Sequence, residues 1–133
     1  MKKPALLLFF IALSFASCST AIKQEDLYGK WNYVRVDNSN PQDTLPAGEL
    51  ELQSPAIIFT PENDLVIEWG GKKLSSGKFR LDGKMIRYTE NLQGGQTREF
   101  PFLINSLDEK ELVFQTMERS TTTVVARRVI GDR

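Results

Sequence analysis

The chain has 133 residues, 41% of them hydrophobic and 26% charged, an ordinary globular mix that fits neither a disordered chain nor a polytopic membrane protein. Lys+Arg and Asp+Glu stand at 17 each, and Lys2 and Lys3 belong to a segment read below as a leader. The remainder is slightly acidic and lacks the basic footprint of a nucleic-acid binder. Histidine is absent, which removes the commonest general base and the commonest transition-metal ligand.

Met1, Lys2 and Lys3 give a positive start, and Ala5 through Phe15 (ALLLFFIALSF) an apolar run. The run is too short for a bilayer core, which needs about 20 helical residues, and suits a secretory hydrophobic region of roughly 7–15. Ala16 and Ser17 then supply small residues before a cut, followed by the only cysteine, Cys18. A lone cysteine in an exported protein cannot close an internal disulfide. Phe15-Ala16-Ser17-Cys18 resembles the lipobox of bacterial lipoproteins, with Phe15 where leucine is usual. The resemblance implies a diacylglyceryl group on the Cys18 thiol and an acylated new amino terminus, and two or more chains anchor stably. The plainer reading of the same residues is an ordinary secretory signal that leaves a free thiol.

These residues divide the chain into a leader, 1–17, a lipidated tether, 18–26, and a folded domain, 27–133. The polar stretch STAIKQED before the domain reaches ~26–29 Å when fully extended. The lipobox resemblance implies a cell-envelope, extracytoplasmic protein whose first partner is the membrane, the outer membrane if the source is Gram-negative. A protein partner is not identifiable from sequence.

From Leu27 onward, period-2 alternation and turn residues recur, and no window of helical length repeats an apolar face at three and four. The expectation is an all-β domain. Strands are predicted at 28–36, 56–60, 65–69, 76–81, 84–90, 97–105, 111–117 and 121–130. The connection 37–54 is long enough to suggest a functional or mobile loop. Asp82-Gly83 predicts a type I′ turn with positive φ at both central positions. Pro101 predicts an edge or a bulge in its strand. Eight strands joined by short hairpins suggest an antiparallel up-and-down meander, and closing it into a barrel removes two exposed edges.

Strand parity gathers an inner wall. Leu65, Ile67 and Trp69 share one face, as do Phe79 and Leu81, Ile86 and Tyr88, Phe100, Phe102 and Ile104, and Leu112 and Phe114. An eight-stranded barrel has an interior that side chains can fill or that holds one small ligand. A filled core and a calyx lidded by 37–54 are both compatible with these residues. In the calyx reading, Phe59, Leu65, Ile67, Trp69, Phe79, Tyr88, Phe100, Phe102 and Phe114 line the pocket, and the occupant is a small apolar or amphipathic molecule. In the other, the barrel is filled and the protein serves a non-catalytic interaction or scaffold role in the envelope.

Gly29-Lys30-Trp31 at the head of the first strand resembles the G-x-W motif of lipocalins and their bacterial lipocalin-like relatives. The order of elements agrees, with a long connection after the first strand and short hairpins thereafter. The resemblance implies that an arginine of the last strand packs across Trp31 and closes the barrel base. Arg127 and Arg128 are the candidates, and Arg128 is preferred, with Gly29 and Trp31 completing the closure. The chain departs from typical lipocalins around Asn105-Ser106-Leu107-Asp108, where no T-D-Y motif occurs.

No Ser-His-Asp or Cys-His site can be assembled without histidine, so an enzyme is not expected. Glu49 and Glu51, read as sharing a face, and Glu68 are the remaining carboxylates worth weighing, and such residues most often form a solvated strand face. Residues Asp37, Asn38, Ser39 and Asn40 lack the spaced ligands of a calcium loop and read as Asx-type turns. No metal and no cofactor are expected beyond the covalent lipid at Cys18.

Overall fold

The computed structural model describes residues 21–130. The leader 1–17 and Cys18 lie outside the described residues, as do 131–133. Eight strands follow in order: β1 (Gly29–Asn38), β2 (Ala56–Phe59), β3 (Asp64–Trp69), β4 (Lys72–Asp82), β5 (Met85–Asn91), β6 (Thr97–Leu107), β7 (Glu111–Thr116) and β8 (Thr122–Arg128). Each pairs antiparallel with the next, and β8 returns to β1 from Trp31↔Arg128 to Asn38↔Thr122. The result is the closed up-and-down barrel expected from the alternation. One end, the base, gathers the start of β1, the end of β8 and the β2–β3, β4–β5 and β6–β7 turns. The other end, the mouth, gathers the β1–β2 connection and the three remaining turns.

The inner wall is apolar because period-2 alternation puts one side chain in two inside. Trp31, Ile57, Phe59, Leu65, Phe79, Ile86, Tyr88, Ile104, Leu112, Phe114, Val124 and Ala126 are all buried. The lower half of the interior is filled. Phe59 and Phe79 meet edge to face with centroids 5.0 Å apart, a favoured aromatic geometry. Three bulges adjust the wall, at Val34 in β1, Leu74 in β4 and Asn105 in β6, each the residue left without a cross-strand partner at a register shift. Of these extra residues Val34 and Leu74 are exposed large apolar side chains.

Four expectations are corrected. The connection 37–54 contains a 3-10 turn (Pro41–Asp43) and a two-turn helix, α1 (Ala47–Gln53), where no helix was expected. Its sequence AGELELQ alternates apolar and polar residues, which mimics a strand, and seven residues are too few for a helical period to register. Ser54 ends the helix at φ 45°, its N–H donating to the Leu50 carbonyl at 2.8 Å. Glu49 and Glu51 therefore do not share a face, since residues two apart on a helix point to opposite sides. Glu49 instead accepts from Gln53 at 3.4 Å.

The tight turn after β4 is Gly83-Lys84 rather than Asp82-Gly83. Asp82 already pairs with Met85, and positive φ is confined to Gly83. The polar tether also ends sooner than expected: Gln24–Leu27 form a 3-10 turn on the base, with Leu27 buried and Ile22 packed against the core. Apolar burial of those two side chains outweighs the freedom of a loose linker.

Closure is incomplete at the mouth. The β4–β5 ladder stops at Gly77↔Glu90, so Lys72–Ser76 of β4 pair only with β3. The β6–β7 ladder starts at Phe102↔Thr116, so residues 97–101 pair only with β5. Pro101 sits in that one-sided stretch, where a residue without an N–H costs nothing to a second ladder. Charged Lys72, Lys73, Arg98 and Glu99 occupy the free edges and discourage strand addition from another chain.

Candidate functional site

Trp31 is fully buried at the base. Its indole N–H donates to the Leu27 carbonyl at 2.8 Å, and the Arg128 guanidinium lies 4.1 Å over the ring. Arg128 also donates from Nη1 to the Tyr28 carbonyl at 2.6 Å, from Nη2 to the Asp26 carbonyl at 2.9 Å and from Nε to the Glu109 carbonyl at 2.8 Å. One side chain thus ties together the entering chain, the head of β1 and the β6–β7 turn. That turn is itself held by Asp108, whose carboxylate accepts the Lys110 and Glu111 N–H groups at 2.8 Å. These bonds hold the Asp108 carboxyl below its ordinary value.

Gly29 has φ +126°, and a Cβ there would stand 2.9 Å from Arg128 Nη1. Glycine is required both by the backbone and by the guanidinium. Arg127 points outward, 67% exposed and 3.8 Å from Glu111. The base is a packed closure at Trp31, and the two concavities beside it, of about 440 and 400 Å³, are lined mostly by charged residues of the β6–β7 turn and the entering chain.

The apolar concavity is at the mouth. Between the splayed β3–β4 and β5–β6 hairpins and the top of β7 is a cleft of about 330 Å³, lined by Ile67, Leu74, Tyr88, Phe100, Phe102 and Met117 with polar residues at its rim. The size is at the lower end for a small-molecule pocket. Its aromatic wall is continuous: the Tyr88 ring stacks at 6.3 Å from Phe100 and 6.2 Å from Phe102. Phe114 backs that wall, edge to face with Phe102 at 5.4 Å, and Tyr33 backs Phe114 at 6.1 Å.

Ile67, Tyr88, Phe100 and Phe102, four residues predicted to line a pocket, meet here. Phe59, Leu65 and Phe79 belong to the filled lower half, and Phe114 lies behind the wall. Trp69 is half-buried beside the Gly70-Gly71 turn and takes no part in the core cluster or the cleft. Its parity is inward, but β3 has by then climbed to the rim. The connection expected as a lid contributes no lining residue. It folds over the β1 side, where Leu50 is buried and the Gln53 carbonyl accepts the Gly70 N–H, while the cleft opens on the β4–β7 side.

Sequence reasoning missed the polar rim. Ser75 Oγ is 2.5 Å from the Tyr88 hydroxyl and donates to Glu90 Oε2 at 2.6 Å. Glu90 Oε1 accepts from Arg98 Nε at 3.3 Å and Nη2 at 3.2 Å, and the Arg98 guanidinium lies 4.5 Å over Phe100. The signal was available as parity: Ser75, Glu90 and Arg98 fall on the inward face of their strands, two residues from Gly77, Tyr88 and Phe100. The network also staples the splayed hairpins above their last backbone pair. Burial raises the Tyr88 phenol above its ordinary value and the Glu90 carboxylate adds to the shift, while the Ser75 bond opposes it. The inward Tyr33 phenol is raised further, chiefly by burial and in part by Tyr88.

The remaining candidates are dispersed. Glu68 lies on the outer wall, 3.3 Å from Lys30. Asn38 Oδ1 accepts the Asn40 N–H at 2.7 Å and Asn40 Oδ1 the Gln42 N–H at 3.3 Å, which are Asx turns. No protein-family profile matches the chain, and no curated protein is significantly similar to it.

Proposed function

We propose that the protein is a lipocalin-like envelope lipoprotein, anchored through Cys18, that binds one small apolar or amphipathic molecule in the cleft at the barrel mouth without catalysis. The observation that carries this reading is the apolar cleft of about 330 Å³ walled by Tyr88, Phe100 and Phe102 at an end of the barrel that Trp31 and Arg128 do not seal. The exposed side chains of Leu74 and Met117 form an apolar lip beside it. Such a lip suits capture of a molecule that partitions poorly into water.

The position of the entering chain supports an orientation. Ile22 and Leu27 are packed at the base, so an anchor a few residues upstream holds the base toward the membrane and turns the mouth outward. The test is native mass spectrometry and organic extraction of the mature domain purified from envelopes. A co-purifying small molecule, lost when Phe102 is replaced by a polar residue, is the expected result. An empty cleft under all conditions favours the alternative, an interaction or scaffold role for a barrel that carries no ligand.

A further inference from the structure

Resting on the cleft reading above, we propose that the ligand carries an anionic head group held by Arg98, on a single apolar body seated against Phe100 and Phe102. Among the residues lining the cleft, Arg98 is the one cation. Its side chain is 57% exposed, whereas that of its partner Glu90 is only 14% exposed. The guanidinium is therefore held from below and presented above. Glu90 engages Nε and Nη2, and Phe100 supports the plane, which leaves Nη1 without a hydrogen-bond partner among the described residues. A guanidinium fixed in orientation beside an apolar wall is pre-organised for an oxyanion.

The other head-group classes fit less well. A cation would need an aromatic face or a free carboxylate. The Phe100 face is covered by Arg98, both oxygens of Glu90 are engaged, and the remaining lining carboxylate, Glu118, is exposed on the far lip, where solvent weakens its pull on a cation. Glu118 on the opposite lip is exposed, so its repulsion of an anion is largely screened by solvent and salt. A neutral head gains less, because Ser75 is already bonded to Tyr88 and Glu90, and Thr116 Oγ1, which accepts the Thr122 N–H at 3.1 Å, offers only a neutral O–H donor. The small volume suits one chain or ring system rather than a two-chain lipid.

The experiment measures displacement of a neutral fluorescent apolar probe from the mature domain by dodecanoate, dodecanol and dodecylammonium, each below its micelle concentration. Dodecanoate is expected to bind about tenfold more tightly than the alcohol, the effect of one charge-assisted contact. Arg98→Met should abolish that preference and Arg98→Lys should keep most of it, the acid-to-alcohol ratio being read within each variant so that a general change in the cleft cancels. Raising salt to about 1 M, where the screening length falls to about 3 Å, should narrow the gap in the unmodified protein. Equal binding of acid and alcohol, a preference that survives Arg98→Met, or tightest binding of the ammonium would overturn the head-group assignment alone. Failure of all three compounds to bind would overturn the cleft reading itself. Co-sedimentation with phosphatidylglycerol vesicles separates the sources: protein left in solution assigns the free single-chain acid, and Arg98-dependent sedimentation contradicts the single-chain assignment.

Discussion

Arg128 covers the face of Trp31 at 4.1 Å while donating to three backbone carbonyls, two in the chain entering β1 and one in the β6–β7 turn. The guanidinium therefore does two jobs with one geometry. Its face packs the indole, and its edge bonds three carbonyls at the barrel end, of which that of Tyr28 is part-buried.

Trp31→Ala should lower stability by about 3–5 kcal/mol, the range for emptying an aromatic core position. Arg128→Ala should cost about 1–3 kcal/mol, because three charge-assisted bonds and the cover over Trp31 are lost together, while water can reach the freed Asp26 and Glu109 carbonyls. Urea denaturation followed by Trp fluorescence measures both. A loss below about 1 kcal/mol at Trp31 would contradict its place in the closure.

Gly77 makes a different demand. A Cβ there would stand 1.9 Å from the Thr89 carbonyl oxygen, so the β4 and β5 backbones could not keep their distance. Gly77→Ala should destabilise by about 1–3 kcal/mol through forced displacement at the last pair of the ladder. Gly94→Ala is the comparison, since nothing lies within 4 Å of its Cβ position, and its cost should come only from φ +78°. Thermal melts of the two variants are the measurement, and equal shifts would contradict the close approach.

The buried phenols predict an alkaline response. Tyr33 and Tyr88 have folded-state values raised above the ordinary phenol value of about 10. The stability they contribute is present below that unfolded value and is lost as pH rises above it toward the folded values. Phenolate absorbance at alkaline pH should show Tyr33 and Tyr88 ionising later than an ordinary phenol while the barrel is folded. Tyr33 and Tyr88 titrating at the ordinary phenol value in folded protein would be inconsistent with these burials.

Cys18→Ser should move the protein from the membrane fraction to the soluble one, since single attachment chemistry at that thiol is what the proposed anchor requires. Fractionation followed by immunoblotting reads the outcome. Unchanged membrane retention of the serine variant would refute the anchor.

Much of the barrel was legible because alternation is a local signal. Leu65, Ile67, Phe79, Ile86, Tyr88, Phe102, Ile104, Leu112 and Phe114 announce their side of the sheet by parity alone, and Gly70-Gly71 announces a hairpin. Helix α1 was not legible because Leu50 and Leu52 alternate as strand residues do, and only Leu50 is buried in the fold. The cleft was legible in part. Parity identifies which side chains point inward, but not the height at which a ladder ends. The heights at Gly77↔Glu90 and Phe102↔Thr116 decide that Phe100 and Phe102 border open space while Phe59 and Phe79 do not. Polar residues at inward parity, Ser75, Glu90 and Arg98, mark the level at which the core gives way to the mouth.

The most direct test of the proposed binding site is a methyl-resolved NMR titration of the mature domain with dodecanoate. The account predicts saturable shifts at Ile67, Leu74 and Met117 around the mouth, with Leu27, Leu65 and Leu112 in the filled half unmoved. Shifts confined to the base, or none at saturating ligand, would contradict it.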